Sequence, residues 1–320
     1  MRLWQRSMIA LARSARLTAA VQRHAGASAL ARRFVAGADV DAACAAAARL
    51  RAEGFRASLF YLGEYVADPE LVRLNVAQKI AVARALGAAG LDVHVSVDPT
   101  QIGHAIDAET AVRNALEIGR VVAGQPTGPG RRNLLMLDME DFALVEPTLA
   151  LRRRLLAAGV PTGQTLQAYL RRTGADLDAI IADGGAGTVR LVKGAFAEGG
   201  GRAFRGRAAI RENYLRLAHR MLSREARAAG LVPVFATHDD RLTRALAAQA
   251  AAAGWEAGSF EFEMLYGVRP ALQRALRDAG HTVRLYLPFG TEWWPYAARR
   301  VGESPRNALF VVRALAGALR

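Results

Sequence analysis

Cysteine is nearly missing from this sequence: Cys44 is the only one in 320 residues. An internal disulfide is therefore excluded, which fits a reducing, cytoplasmic setting. Cys44 lies in the alanine-rich run "VDAACAAAARL", where a small buried apolar side chain is the expected role. No run of ~20 strongly apolar residues occurs, so no segment reads as a membrane span. The basic N-terminus, "MRLWQRSMIALARSARLTAAVQRHAG", also lacks a continuous apolar stretch and does not read as a secretory signal. It reads as an amphipathic helix lying on the body of the protein or on anionic lipid. Acidic residues are the minority, 29 against 43 Lys+Arg, for a formal net charge of +14. That excess is spread along the chain, with no zinc-finger spacing, aromatic RNA-binding motif or basic zipper. It implies weak attraction to anionic surfaces and no specific nucleic-acid partner.

What is present is apolar and periodic. Hydrophobic residues make up 52% of the chain, enough for a large core and against disorder. Short apolar runs rich in β-branched residues alternate with alanine-rich helical patterns. Strands are expected over 57–63, 92–98, 132–140, 162–170, 188–194, 231–239, 259–267 and 282–290. Helices are expected between them, for example over 75–90 and 211–230, the latter closed by Gly230. Eight such units predict an α/β fold, a (βα)8 TIM barrel. An open doubly wound sheet is the rival, but it places a glycine-rich phosphate turn after its first strand, where "LGEYVADP" stands. Residues 1–50 are expected to form an N-terminal helical arm and 51–320 the barrel. The loop "AGQPTGPGRRN" is expected on the lower face, as a helix-to-strand connection.

In such barrels the chemistry sits at the carboxyl ends of the strands. The polar residues follow that rule. The expected ends carry Glu64, Asp98, Asp138 with Glu140, Gln167, Arg190 with Lys193, Thr237 with His238 and Asp239, Glu261 with Glu263, and Tyr286. The helix after strand eight presents Tyr296, Arg299, Arg300 and Glu303. The spacing puts Tyr296 on one helical face with both arginines, and a guanidinium matches a carboxylate in a bidentate fork. Arg190 and Lys193, followed by a glycine-rich loop from Gly194, suit a pyrophosphate or the polar edge of a flavin; salt bridges to neighbouring strands are the plainer alternative. "ATHDD" has no companion metal spacing such as HExxH or CxxC, so no metal is expected. No GxSxG turn is present, and Ser96 and Ser259 have no evident histidine partner, which speaks against acyl transfer. A flavin-free lyase or aldolase using Lys193 as a Schiff base remains a reading from another class.

The motifs "RLVKGAF", "FATHD", "FEFEMLYGVRP", "LYLPFGTEWWPYAARR" and "ESPRN", in this order, resemble the bacterial single-function proline dehydrogenases. "YLGEYV" and "LDME" fit as well, and the resemblance covers roughly residues 30 to 310. It implies a distorted (βα)8 barrel that binds FAD, oxidises L-proline to Δ1-pyrroline-5-carboxylate and passes electrons to membrane quinone, with peripheral membrane contact. Carried onto this sequence, it assigns FAD contacts to Gln167, Arg190, Lys193, Gly194, Thr237, His238 and Glu263. It assigns the substrate carboxylate to Arg299 and Arg300, the ring walls to Tyr286, Tyr296 and Leu265, and closure of the site to Glu64. Phe196 and Glu303 fall at the substrate.

Three positions depart from that pattern. Asp98 stands where the family carries a lysine that helps hold the carboxylate beside Asp138. Phe196 replaces a tyrosine, and Glu263 a glutamine. Two unit charges about 4 Å apart interact by ~4 kcal/mol at an effective dielectric of ~20, and reversing one loses that attraction and adds a repulsion of the same size. A flavin-dependent dehydrogenase of a different imino or amino acid, held by Asp98, and a poorly active relative are therefore open alternatives. If Asp98 and Asp138 are close, one could titrate high enough to act as a base.

Overall fold

The computed structural model describes residues 33–63, 66–128, 130–184, 187–294, 296 and 297. The described chain starts with helix α1 (Val40–Ala52) and continues with strand β1 (Arg56–Tyr61). It then runs α2 (Pro69–Ala88), β2 (His94–Val97), α3 (Ala108–Ala123), β3 (Leu134–Leu137), α4 (Val145–Ala157) and β4 (Thr162–Gln167). α5 (Thr173–Ala182), β5 (Thr188–Val192), α6 (Arg207–Met221), α7 (Arg224–Ala228) and β6 (Val232–Ala236) follow. α8 (Asp240–Ala252), β7 (Glu261–Leu265), α9 (Pro270–Asp278) and β8 (Thr282–Phe289) complete it. All strands are parallel and pair in sequence order, β8 closing on β1, so the expected barrel is what the chain forms.

Local chemistry sets the helix ends. Asp68 caps α2 by accepting from the Glu70 amide at 2.8 Å, with Pro69 in the first turn, and Asp107 accepts from the Thr110 amide at 2.7 Å. The expected single helix over 211–230 is two. Ser223 is extended and its hydroxyl accepts from the Ala226 amide, which starts α7 afresh, while Gly230, at φ +74°, ends it. The strands stop short of their expected limits, as β2 does at Val97, because Pro99 opens a 3-10 turn (Pro99–Ile102). α1 crosses position 50 and packs on β1 through Ala43, Ala46, Ala47 and Leu50. The loop containing 123–133 joins α3 to β3 on the lower face, where the Gly130 carbonyl accepts from Arg56 at 3.0 Å.

Strand registers fix which side chains face the axis. Ser58 pairs with Tyr286, Glu263 with Arg284, Thr165 with Arg190, and Met136 with Gly163. Alternation then sends Leu59, Val95, Leu135, Leu166, Leu191, Phe235, Phe262 and Leu285 outward, where they are buried against the helices. That shell is the hydrophobic core. The axis holds the polar set together with the buried Phe60, Met136 and Val234.

Candidate active site at the carboxyl end of the barrel

Barrels of this kind usually fill their axis with branched apolar residues. Here the interior carries two ionic layers. In the lower one, Arg284 donates to Glu261 at 2.7 and 3.1 Å, to Asp92 at 3.1 Å and to the Ala57 carbonyl at 2.7 Å. Arg56 adds a bond to Glu261 at 3.1 Å. Burial would raise the Glu261 carboxyl, but the Arg284 guanidinium outweighs it and holds the group below its usual range. His94 is buried within reach of both layers; burial first, then Arg284 and Arg190, keep its imidazole neutral.

The upper layer is built around Asp138, one residue beyond β3. Tyr286 of β8 donates its hydroxyl to Asp138 at 2.9 Å, and Arg190 of β5 forms an ion pair with the same carboxylate. Arg190 also donates to Glu263 at 2.9 Å and to the Thr165 hydroxyl at 2.8 and 3.0 Å. Ser58 donates to Glu263 at 2.7 Å, while the second Glu263 oxygen is buried with no hydrogen-bond partner among the described residues. The Arg190 guanidinium lies over the Tyr286 ring, 5.5 Å from its centre. Burial and the nearby Asp98 carboxylate hold the Tyr286 hydroxyl well above its usual range, against the opposing pull of Arg190. Tyr286 is thus a proton donor across the working pH range, and Asp138 an acceptor fixed on two sides.

The remaining expected site residues divide. Gln167 donates to the Met139 and Glu140 carbonyls at 3.2 and 3.1 Å, leaving its own oxygen buried and without a partner among the described residues. His238 accepts from the Leu265 amide at 2.8 Å through Nε2, so its proton sits on Nδ1. Thr237 accepts from the Asp239 amide, and Asp239 caps α8 and pairs with Arg211, which makes that aspartate a structural residue. Lys193 is exposed just beyond β5, its carbonyl receiving the Tyr169 amide. Gly194, at φ +95°, lies against the Tyr169 ring so closely that a Cβ would collide with it. Phe196 and Leu265 are half-buried at the rim, and Tyr296 is buried close enough to Tyr286 to act on its titration. Glu64, Arg299, Arg300 and Glu303 lie outside the described residues.

Around Asp98 the structure adds groups that the motifs did not announce. Asp98 is half-buried at the end of β2 and starts the 3-10 turn, with its carbonyl accepting from the Gln101 amide at 3.0 Å. Glu140 anchors that turn by accepting from the Thr100 amide and hydroxyl at 2.9 and 2.6 Å. Gln101 donates to the carbonyls of Tyr61, at 3.0 Å, and Gly63. Lys79, fully buried on α2, donates to Gln101 at 2.8 Å. One signal could have found it: the chain has 41 arginines and only two lysines, Lys79 and Lys193.

Known proteins resemble this chain over most of its length. A family model described as proline dehydrogenase matches residues 43–313. The proline dehydrogenase of Deinococcus radiodurans is 34% identical over 288 residues, covering 89% of this chain and 90% of that protein. Proline dehydrogenase 1 of Bacillus subtilis strain 168 is 31% identical over 285 residues, with 89% and 90% covered. Among solved structures, proline utilization A of Bdellovibrio bacteriovorus superposes with a TM-score of 0.77 at 20% identity, over 91% of this chain and 35% of that one. Its counterpart from Corynebacterium freiburgense gives 0.71 at 20% identity, over 98% and 34%. The chain spans about a third of those two longer proteins. At that identity the likeness shows the fold alone.

Proposed function

The chain belongs to the proline dehydrogenase family, and we propose that the upper end of its barrel oxidises L-proline to Δ1-pyrroline-5-carboxylate with FAD bound and quinone as the next electron acceptor. The observation that carries the reading is Asp138, a carboxylate pinned between the Tyr286 hydroxyl and Arg190 at the carboxyl end of a parallel barrel. Such an acceptor, next to an aromatic face, suits a small saturated ring carrying a secondary ammonium. The loss of two electrons and two protons from the ring C–N bond then needs a hydride acceptor and a place for the nitrogen's proton. Asp138 supplies an anion for the ammonium, Tyr286 keeps that anion oriented, and Leu265 and Phe196 are placed to exclude water. Arg299 and Arg300 would hold the substrate carboxylate.

The residues present fit a flavin. Gln167 offers a buried oxygen free to accept, His238 carries its proton on Nδ1, and Lys193 extends an exposed ammonium beyond β5. Arg190 is spent on Asp138 and Glu263, so its contact with a cofactor would be shared with that ion pair. FAD, when bound, supplies hydride acceptance; the chain supplies position and field. Glu64 would close the site, Thr237, Gly194 and Glu263 would complete the cofactor's surroundings, and Glu303 would lie at the substrate. A basic surface favours an anionic membrane face, where quinone resides. No helix among the described residues is long and apolar enough to cross one. The Schiff-base reading loses support, since a lysine of that kind is desolvated in a pocket and Lys193 is exposed.

Anaerobic addition of L-proline to the FAD-reconstituted protein tests the reading. Bleaching of the flavin absorbance is expected; persistent yellow colour with L-proline, but bleaching with another imino acid, would transfer the activity to that substrate.

A further inference from the structure

Lysine is the rare cation of this chain, two residues against 41 arginines, and one of the two is the most deeply buried charge near the candidate site. Lys79 has no exposed surface. Its ammonium donates to Gln101 at 2.8 Å and lies over the rings of Phe60 and Tyr61, 5.4 and 5.9 Å from their centres. Gln101 in turn donates its backbone amide to the Asp98 carbonyl at 3.0 Å and its side chain to the carbonyls of Tyr61 and Gly63. Asn75, one turn before Lys79 on α2, donates to the Gln101 carbonyl at 3.2 Å. A helix on the outside of the barrel thereby sends a point charge inward, to the ends of β1 and β2.

That is a costly place for a cation. Burial lowers the Lys79 ammonium from 10.5 to about 7, and the Asp98 carboxylate works against the fall. From the neighbouring elements, Asp98 at the end of β2 is the acid that acts on Lys79; β1 presents ring faces, including the Tyr61 phenol, and the 3-10 turn presents the Gln101 amide. A long, planar, always-charged guanidinium does not replace a compact ammonium there. Asp98 also acts on Tyr286, whose hydroxyl is bound to Asp138. An acid so placed repels any carboxylated substrate unless a cation offsets it.

We propose that Lys79 is a positioning residue of the proline site: paired with Asp98 through the Gln101 turn, it cancels the acid's repulsion of the substrate carboxylate and holds the ends of β1 and β2 together. The inference rests on the proline reading above. It also accounts for an acid at the end of β2 in a site for an anion.

Two lysines make the first test simple, because isotope-labelled lysine gives two side-chain NMR signals and Lys193→Arg assigns them. The Lys79 titration midpoint is expected to fall by about one unit or more in Asp98→Asn. Kinetics with L-proline supply the second, at about pH 6.5, below the Lys79 midpoint. Lys79→Met is expected to raise KM about tenfold with kcat within about threefold and flavin content unchanged. Lys79→Met/Asp98→Asn is expected to bring KM back to within about threefold of the unmodified protein and to melt no lower, which a purely structural lysine would not do. Equal Lys79 midpoints with and without Asp98, or single effects that multiply with no recovery in the double variant, overturn the proposal. If Lys79→Met does not fold, the NMR comparison in Asp98→Asn decides alone. If the unmodified protein leaves L-proline untouched, the proline reading fails while the NMR comparison still reports on the pair.

Discussion

The two ionic layers inside this barrel are made of the same residue types and do opposite things. Below, Arg284 and Arg56 face Glu261 and Asp92, two cations against two acids, with Arg284 donating from Nε and both terminal nitrogens. Above, Asp138, Glu263 and Asp98 face Arg190 and the buried Lys79, so acids outnumber cations among the described residues. One Glu263 oxygen is without a hydrogen-bond partner among the described residues there. A saturated layer can only hold strands together. A layer that, among the described residues, carries an acid in excess and an unfilled acceptor has the features that the proposed binding end of the barrel would use. Buried, neutral His94 is acted on by Arg284 of the lower layer and Arg190 of the upper one.

Breaking the lower layer is expected to have the largest effect, and on stability. Arg284→Met leaves Glu261 and Asp92 to share Arg56 in the barrel interior and is expected to cost about 3–5 kcal/mol, read by urea unfolding. Unfolding followed by acid titration should show the same pairing. Glu261 lies below its usual 4.5, so its contribution is full above that value and is lost as pH falls through the folded value; Arg284→Met should remove that acid limb. Breaking the upper layer should instead act on turnover. Asp138→Asn is expected to lower kcat/KM about 100-fold or more with little change in melting temperature. Tyr286→Phe, which leaves Asp138 in place but less well oriented, is expected to cost about tenfold, read in the same assay. The smallest effect sharpens the comparison through Lys79. The unfolded chain keeps a lysine proton that the folded protein releases between about 7 and 10.5, so stability should rise with pH across that window. Lys79→Met should flatten the rise, whereas Arg284→Met should leave it.

Much of this was legible in the sequence, for reasons that explain what was not. The eight strands stood out because their outward faces, such as Leu135 with Leu137 or Phe262 with Met264, are apolar and short. Their order followed from the alternation with helices. Asp138 and Tyr286 were legible because both fall toward the carboxyl ends of expected strands. The role of Arg190 was half legible. Its salt bridges to neighbouring strands were one expected reading, but only the register shows that it points along the axis toward Glu263, 73 residues away in sequence. Lys79 was hidden for a related reason. It lies on a helix where Val72, Val76, Val82 and Leu86 read as ordinary core, and nothing local reveals that its ammonium reaches the Gln101 side chain beyond β2. The break at Ser223 was missed because both flanking segments have helical composition, and a serine cap is visible only where the backbone turns extended.

The seam between β1 and β8 has a further consequence, for how the molecule comes into being. Its ladder runs from Arg56↔Arg284 to Tyr61↔Phe289, and Arg284 reaches the Ala57 carbonyl across 227 residues of chain. The lower ionic layer straddles that seam, so Arg56, Asp92 and Glu261 are synthesised before the arginine that balances them. Until β8 leaves the ribosome, two acids face one cation beside an open strand edge. Closure of such distant pairs is slow because the loop entropy is lost before the contacts form. The nascent barrel therefore keeps an open strand edge until β8 is made, and Arg284 arrives on the strand that closes it.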